Sequence, residues 1–231
     1  MNQFARIEPW SADIVGSSFE NWPEELQTLA LARPISSLQL SGLMLGAVLS
    51  QNGAYRAHRR LPKPVELPGL RTSTKMCAGD VFLKLGPVSW KEHAGFVRVS
   101  SELLDTMLPI MLRSITERMA TVAYAFQVEQ APISIHVFPY IDLSNAWEAR
   151  FTIEDGALVS ARWTVPAQNG KPPAGMGSKL SGAAARIASA SGLENALLDL
   201  AYQSDTEDGK IRVVEINPLV LDAGYKRLLR F

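Results

Sequence analysis

The chain has 231 residues, 47% of them hydrophobic and 20% charged, with 23 Lys and Arg balancing 23 Asp and Glu. That length fits one large domain or two small lobes, and the composition is that of a globular protein with a real core, not of a disordered chain. The balanced charge argues against a general nucleic-acid binder, and no apolar run reaches the ~18 residues of a membrane span.

Cys77 is the only cysteine, which excludes an intrachain disulfide and a Cys-based zinc site and points to a reducing, cytoplasmic setting. Glu8 and Asp13 give the N-terminus no signal-peptide pattern.

The first ~70 residues read as helical and loop-rich. Asn21-Trp22-Pro23-Glu24-Glu25 joins a capping residue, a first-turn proline and early acids, and predicts a helix to about Arg33. A second periodic stretch covers Leu38 to Leu49, and Pro62, Pro64 and Pro68 punctuate a loop. Arg56 to Arg60 is a basic cluster whose ordinary reading is a solvated face, with anion or RNA contact as the alternative. Val81 to Leu85 reads as a buried strand stopping at Gly86-Pro87. Ser101 to Phe126 is mostly helical by pattern, with Pro109 marking a first turn or a kink. Ile133 to Tyr140 reads as a strand.

Glu148 to Trp163 is a hairpin around Glu154-Asp155-Gly156. A two-residue loop would mix polar and apolar side chains on both faces. A three-residue loop with Gly156 at a bulge pairs Arg150 with Ser160 and Glu148 with Arg162. Glu148, Arg150, Thr152, Ser160 and Arg162 then share a polar face, and Ala149, Phe151, Ile153, Ala157, Val159, Ala161 and Trp163 an apolar one. This register is the expected one because a one-residue slip exchanges the faces. Residues 164–178 form a Gly/Pro loop, Ser181 to Ala190 a small-residue helix, and Ala196 to Tyr202 and Ile211 to Asn217 two strands joined by a polar turn. Helices in blocks and strands in hairpins predict an α+β fold.

The last hairpin carries the chemistry. Alternation puts Glu215 and Asn217 on the face of Val213, with ~7 Å between their Cα atoms. Centring the hairpin on Glu207 sets Asp199 opposite Glu215, with Cβ atoms ~5 Å apart. Two carboxylates and an amide oxygen suit a hard cation such as Mg²⁺. An edge strand with solvent-facing acids is the plainer alternative, although Asp199 in the apolar run Ala196 to Ala201 needs a partner or a metal.

Lys84 either snorkels to the surface or points into a cleft as a phosphate ligand, helped by Ser89 and the amides of the loop from Gly86 to Lys91. Arg150 belongs either to a surface ion-pair ladder or to a phosphate or acyl-phosphate site. His58, His93 and His136 show no metal-ligand spacing, and neither a Walker loop nor a GxSxG elbow is present.

The segments ALLDLAYQSDTEDGKIRVVEINPLVLDAGYKRLL, VFLKLGPVSWKEH, WEARFTIEDGALVSAR and SFENW are collinear over residues 18–229. Together they resemble the cell division cycle protein 123 family, a branch of the ATP-grasp superfamily. The resemblance implies two lobes with antiparallel sheets enclosing a nucleotide cleft. Residues 1–70 would pack on the core, 71–138 form the N-terminal lobe, and 139–231 form the C-terminal lobe with the metal-binding hairpin.

It further implies ATP and Mg²⁺ as cofactors. Lys84, Ser89 and Lys91 would contact phosphates, and Arg150 and Arg162 the phosphates or the transferred group. Glu148 would order the site, and His136, Phe138 and Tyr140 would frame the adenine side. Asp199, Glu215 and Asn217 would hold the metal. His136 stands where the family often has Arg or Lys, and Glu215 where it typically has Asp.

Two activities are consistent with these parts. The first is an ADP-forming ligase in which Lys84 and Arg150 stabilise an acyl-phosphate, with a small molecule, peptide or protein as acceptor. The second is an ATP-binding assembly chaperone, the role of eukaryotic members toward translation initiation factor 2. Neither calls for a membrane or a nucleic acid. A domain that has lost nucleotide binding is a third reading, opposed by the intact acid-x-Asn pair.

Overall fold

The computed structural model describes residues 3–67, 79–90, 98–164, 172–203 and 210–221. In chain order its helices are α1 (Gln3–Ile7), α2 (Ser11–Gly16), α3 (Glu24–Leu29), α4 (Gly42–Gln51), α5 (Gly53–Arg59), α6 (Leu104–Arg113), α7 (Glu117–Val128) and α8 (Met176–Ser191). The strands are β1 (Ser36–Leu40), β2 (Asp80–Leu85), β3 (Val88–Ser89), β4 (Val99–Ser100), β5 (Ile133–Pro139), β6 (Ala146–Glu154), β7 (Ala157–Trp163), β8 (Ala196–Gln203) and β9 (Lys210–Pro218). The class is α+β, with two antiparallel sheets. No described helix is long and apolar enough to cross a membrane.

The chain divides into two compact units: Met1–Gly16 with Pro34–Tyr140, and Ser17–Arg33 with Ile141–Phe231. The first 70 residues are therefore shared between the units, with residues 17–33 in the second.

In the first unit the strand order is β1-β5-β2-β3, and β4 also pairs with β2. The stretch from Leu38 is not one helical element. Ser37 and Gln39 alternate with Leu38 and Leu40, and this period of two lets β1 pair with β5, Leu38 against Ile135 and Leu40 against Ile133. Ser41 then opens α4, its hydroxyl accepting the Met44 N–H. The helical stretch from Ser101 is likewise divided, because Thr116 caps a separate α7 by accepting the Met119 N–H. Pro109 lies inside α6.

The N-terminal helix is docked by aromatic packing. Phe4 stacks on His58 at 5.2 Å and meets Tyr55 and Tyr124 edge-on. The Tyr124 hydroxyl donates to Glu8 Oε1 at 2.7 Å, and burial, then this bond, push its pKa up to about 12.

A tight β2–β3 turn positions the lysine strand. Gly86 sits at φ 54°, and a Cβ there would meet the Phe126 ring at 3.2 Å. Only glycine combines that dihedral with that approach. The turn sets Lys84 opposite Ser89 and Leu85 opposite Val88.

In the second unit the strand order is β7-β6-β8-β9. One face buries Phe151, Ile153, Leu198, Leu200, Val213 and Ile216 against Leu180, Ala184 and Ala188 of α8. Each large apolar side chain buried there contributes ~1.5–3 kcal/mol. Trp22 and Leu26 join the same core. The helix expected to reach Arg33 stops at Leu29, because the Leu31 N–H donates to the Val213 carbonyl at 2.7 Å and the chain runs extended beside β9.

Two irregularities set the faces of this sheet. Asp155 and Gly156 have φ of 49° and 73°, so the β6–β7 turn is a two-residue turn and not the three-residue loop expected. Glu154 pairs with Ala157 and Ile153 with Leu158, but Thr152 pairs with Ser160 and Arg150 with Arg162. Val159 is thus an extra residue, a bulge that moves the register by one. Arg150 faces Arg162 and not Ser160, and Leu158, in place of Ala157 and Val159, packs against the core.

Candidate functional site

The face of the second sheet remote from α8 collects the charged residues. On β6, Glu148, Arg150 and Thr152 alternate with the core residues Ala149, Phe151 and Ile153. Arg150 lies opposite Asp199 of β8. Its guanidinium closes a two-pronged contact, Nε to Oδ1 at 2.7 Å and Nη2 to Oδ2 at 2.5 Å. Planar geometry lets guanidinium and carboxylate form two parallel bonds, the strong form of this pair. Asp199 is 1% exposed. The acid in an apolar strand therefore has a partner, and that partner is the arginine of the neighbouring hairpin.

Asp199 is also opposite Glu215, as the hairpin arithmetic predicts. The rest of that strand corrects the expectation. Leu200 pairs with Val213, so Val214 is a bulged residue. Without it, Val213 would share a face with Glu215 and Asn217. With it, Val213 turns into the core beside Leu200 and Ile216. The bulge separates the acid pair from the core residue two positions before it.

Glu215 and Asn217 are both buried, and neither Oδ1 nor Nδ2 of Asn217 has a hydrogen-bond partner. A buried amide with both ends unsatisfied costs about 1–3 kcal/mol per group. An oxygen-binding cation beside Oδ1 and an acceptor beside Nδ2 would satisfy it. Among the described residues no three His, Cys, Asp or Glu are grouped to hold a metal. The donor set is instead two carboxylates completed by an amide, all oxygen, which fits Mg²⁺.

The first unit has a polar row of its own. Ser37 is opposite His136, His136 is opposite Lys84, and Lys84 is opposite Ser89, across β1, β5, β2 and β3. Ser37 Oγ and His136 Nδ1 are 2.8 Å apart. Lys84 does not snorkel: it is 8% exposed, with Nζ 5.9 Å from the centroid of Phe138. His136 is 2% exposed. Ser89 is buried as well. Tyr140 departs from this row, since Arg98 lies 5.4 Å above its ring.

The structure thus brings together Lys84, Ser89, His136 and Phe138 in one unit, and Glu148, Arg150, Asp199, Glu215 and Asn217 in the other. Arg162 is exposed on β7. Lys91 lies outside the described residues, as do 91–94 of the loop after Gly86, 165–171 of the Gly/Pro loop and the C-terminal 222–229. A cavity of ≈ 80 Å³ in the second unit is lined by Phe151, Trp163, Gly177 and Leu180, on the α8 side and away from the acids. Ser37 is the site residue the sequence reading missed. Its signal was the Ser/Gln alternation with leucine, masked by the helical pattern that follows.

Neither a scan of family models nor a search of curated protein sequences gives a match. Among solved structures, the chain is similar to Cdc123 from Schizosaccharomyces pombe, with a TM-score of 0.58 and 12% identity over 93% of this chain and 89% of that one. It is similar also to the C-terminally truncated form of that protein, with a TM-score of 0.54 and 12% identity over 94% and 91% of the two chains. The ATP-grasp ligase PsnB, complexed with minimal precursor, Mg and ADP, aligns with a TM-score of 0.39 and 14% identity over 95% of this chain and 55% of its own. The two Cdc123 alignments therefore give the chain a Cdc123-like α+β fold.

Proposed function

We propose that this chain binds Mg²⁺ and ATP and works as an ATP-binding assembly factor for a protein complex. The observation that carries metal and nucleotide binding is Asn217, a buried amide with neither end satisfied, beside the facing carboxylates Asp199 and Glu215. Glu215, Asn217 and Asp199 hold the ion, whose contribution is to offset phosphate charge. Lys84 and Ser89 are phosphate donors, Lys84 being a buried cation beside the hydroxyl that faces it. Arg150 and Arg162, on neighbouring strands, address phosphate oxygens, for which a planar guanidinium is suited. Glu148, two residues before Arg150, orders that face. His136, Phe138 and the β5 backbone line the base side, while the Tyr140 ring is engaged by Arg98. Assembly is favoured over ligation by the likeness to Cdc123 over nearly the whole of both chains.

The test is calorimetric titration with ATP, with and without Mg²⁺, for the wild type and for Glu215→Ala/Asn217→Ala. Mg²⁺-dependent binding lost in the variant supports the site; no binding by folded wild type overturns the reading. ATP that stays intact over many hours supports a binding role.

ADP-forming ligation is the second reading, and one observation favours it: Arg150 stands beside the acids, where charge on a transferred phosphoryl group would develop. ADP release that depends on an added carboxylate and amine would select it over assembly.

A further inference from the structure

We infer that the Arg150–Asp199 pair is an exchange switch that makes metal binding and anion binding depend on each other. The inference rests on the proposed metal site. Both oxygens of Asp199 are engaged by one guanidinium, and Asp199 is buried. Asp199 also faces Glu215 directly across the strand pair. A divalent cation that takes Asp199 as a ligand competes with Arg150 for the same oxygens. Two adjacent buried carboxylates need a counter-charge, and either cation supplies it.

The exchange has an electrostatic consequence. If the cation alone displaces Arg150, a partly buried guanidinium loses its two-pronged contact with Asp199, which is costly. If a polyphosphate arrives alone, Arg150 is already committed to Asp199. When both arrive, the cation takes the carboxylate and the freed guanidinium takes the anion. Each ligand thereby lowers the cost of the other, and by linkage the coupling is reciprocal. Asn217, unsatisfied at both amide ends, gains its partners only in the exchanged arrangement. The rest of the local geometry can stay fixed, since Arg150, Asp199 and Glu215 lie on adjacent paired strands. The structure thus supports a site selective for a metal–polyphosphate complex over either component.

The test reads Mn²⁺ binding by electron paramagnetic resonance and by thermal shift, without nucleotide, for wild type, Arg150→Gln and Arg150→Lys. Wild type should bind Mn²⁺ weakly. Arg150→Gln should bind it about tenfold or more tightly, a change of ~1.4 kcal/mol, and be raised in melting temperature by Mn²⁺ alone. Arg150→Lys, which keeps the charge without the two-pronged contact, should fall between them and serves if Arg150→Gln does not fold. Adding Glu215→Gln to either variant should abolish the gain. Equal Mn²⁺ affinity in wild type and both variants overturns the exchange. If wild type then still binds Mg²⁺-ATP, the metal site stands without the switch; if it does not, the site itself is wrong.

Discussion

The two sheets solve the burial of charge in different ways. In the first unit the cation Lys84 is buried: Ser89 and His136 face it across the strands, and the Phe138 ring centroid lies 5.9 Å from its ammonium. In the second unit a buried acid is held by an arginine. Asp199 holds Arg150 by two bonds and faces Glu215, and what remains unsatisfied is the neutral amide of Asn217. A buried cation beside a facing hydroxyl is a place for an anion. An arginine-held acid beside an unsatisfied amide is a place where one cation is exchanged for another. The two regions therefore invite opposite ligand chemistry, and each can be broken separately.

The largest expected effect is on stability, in the second sheet. Arg150→Leu leaves Asp199 charged, buried and beside Glu215, and should cost roughly 3–5 kcal/mol in urea unfolding. Arg150→Leu with Asp199→Leu should recover most of that, because removing both charges removes the desolvation penalty. Equal destabilisation of the single and double variants would mean that Arg150 stabilises through packing and not through its charge.

Next comes ligand binding at the acid face. Glu215→Ala with Asn217→Ala should remove the Mg²⁺ dependence of ATP binding, lowering affinity by roughly a hundredfold, ~2.7 kcal/mol. The protein should stay folded, since neither side chain belongs to the α8 core. Unchanged affinity in the calorimeter would remove the metal from this face.

That acid pair was legible in the sequence, but by an offset: counting outward from a turn centred on Glu207 sets Asp199 against Glu215, whereas the strands leave the turn with Gln203 paired to Lys210 and reach the same pair only through the bulge at Val214. The bulges were not legible. Val159 and Val214 are ordinary strand residues, and whether either pairs or is skipped depends on which neighbour the α8 core needs, Leu158 in one case and Val213 in the other. The Arg150–Asp199 contact was hidden for a related reason: it joins strands 49 positions apart, and only the order β7-β6-β8-β9 makes them neighbours. In the first unit, β1 was lost to a helical reading because five alternating residues precede a ten-residue helix with its own cap.

Lys84→Ala sharpens the contrast from the other side. A charged hydrogen bond to phosphate contributes ~1.5–3 kcal/mol, so ATP affinity should fall by one to two powers of ten, roughly, while adenosine affinity holds. Mg²⁺ dependence should persist, because the acid face is intact. Equal losses for ATP and adenosine would move Lys84 from the phosphates to the base or to the scaffold.

The smallest effect belongs to Ser37, and it tests whether the polar row works as a unit. Ser37 Oγ pairs with His136 Nδ1, which fixes the ring orientation and biases which nitrogen carries the proton. Ser37→Ala removes one neutral hydrogen bond from an exposed strand position to a buried ring, worth at most about 0.5–1.5 kcal/mol in urea unfolding. Nitrogen chemical shifts of the His136 ring should report a changed tautomer balance. If His136 only supports the strand, ATP affinity should be unchanged. If the row acts as a unit around Lys84, ATP affinity should fall by a fewfold, and Ser37→Ala in the Lys84→Ala background should add nothing, since coupled neighbours are not additive. Additive losses would separate His136 from the lysine and leave Lys84 with Ser89 as the whole of the anion contact in that sheet.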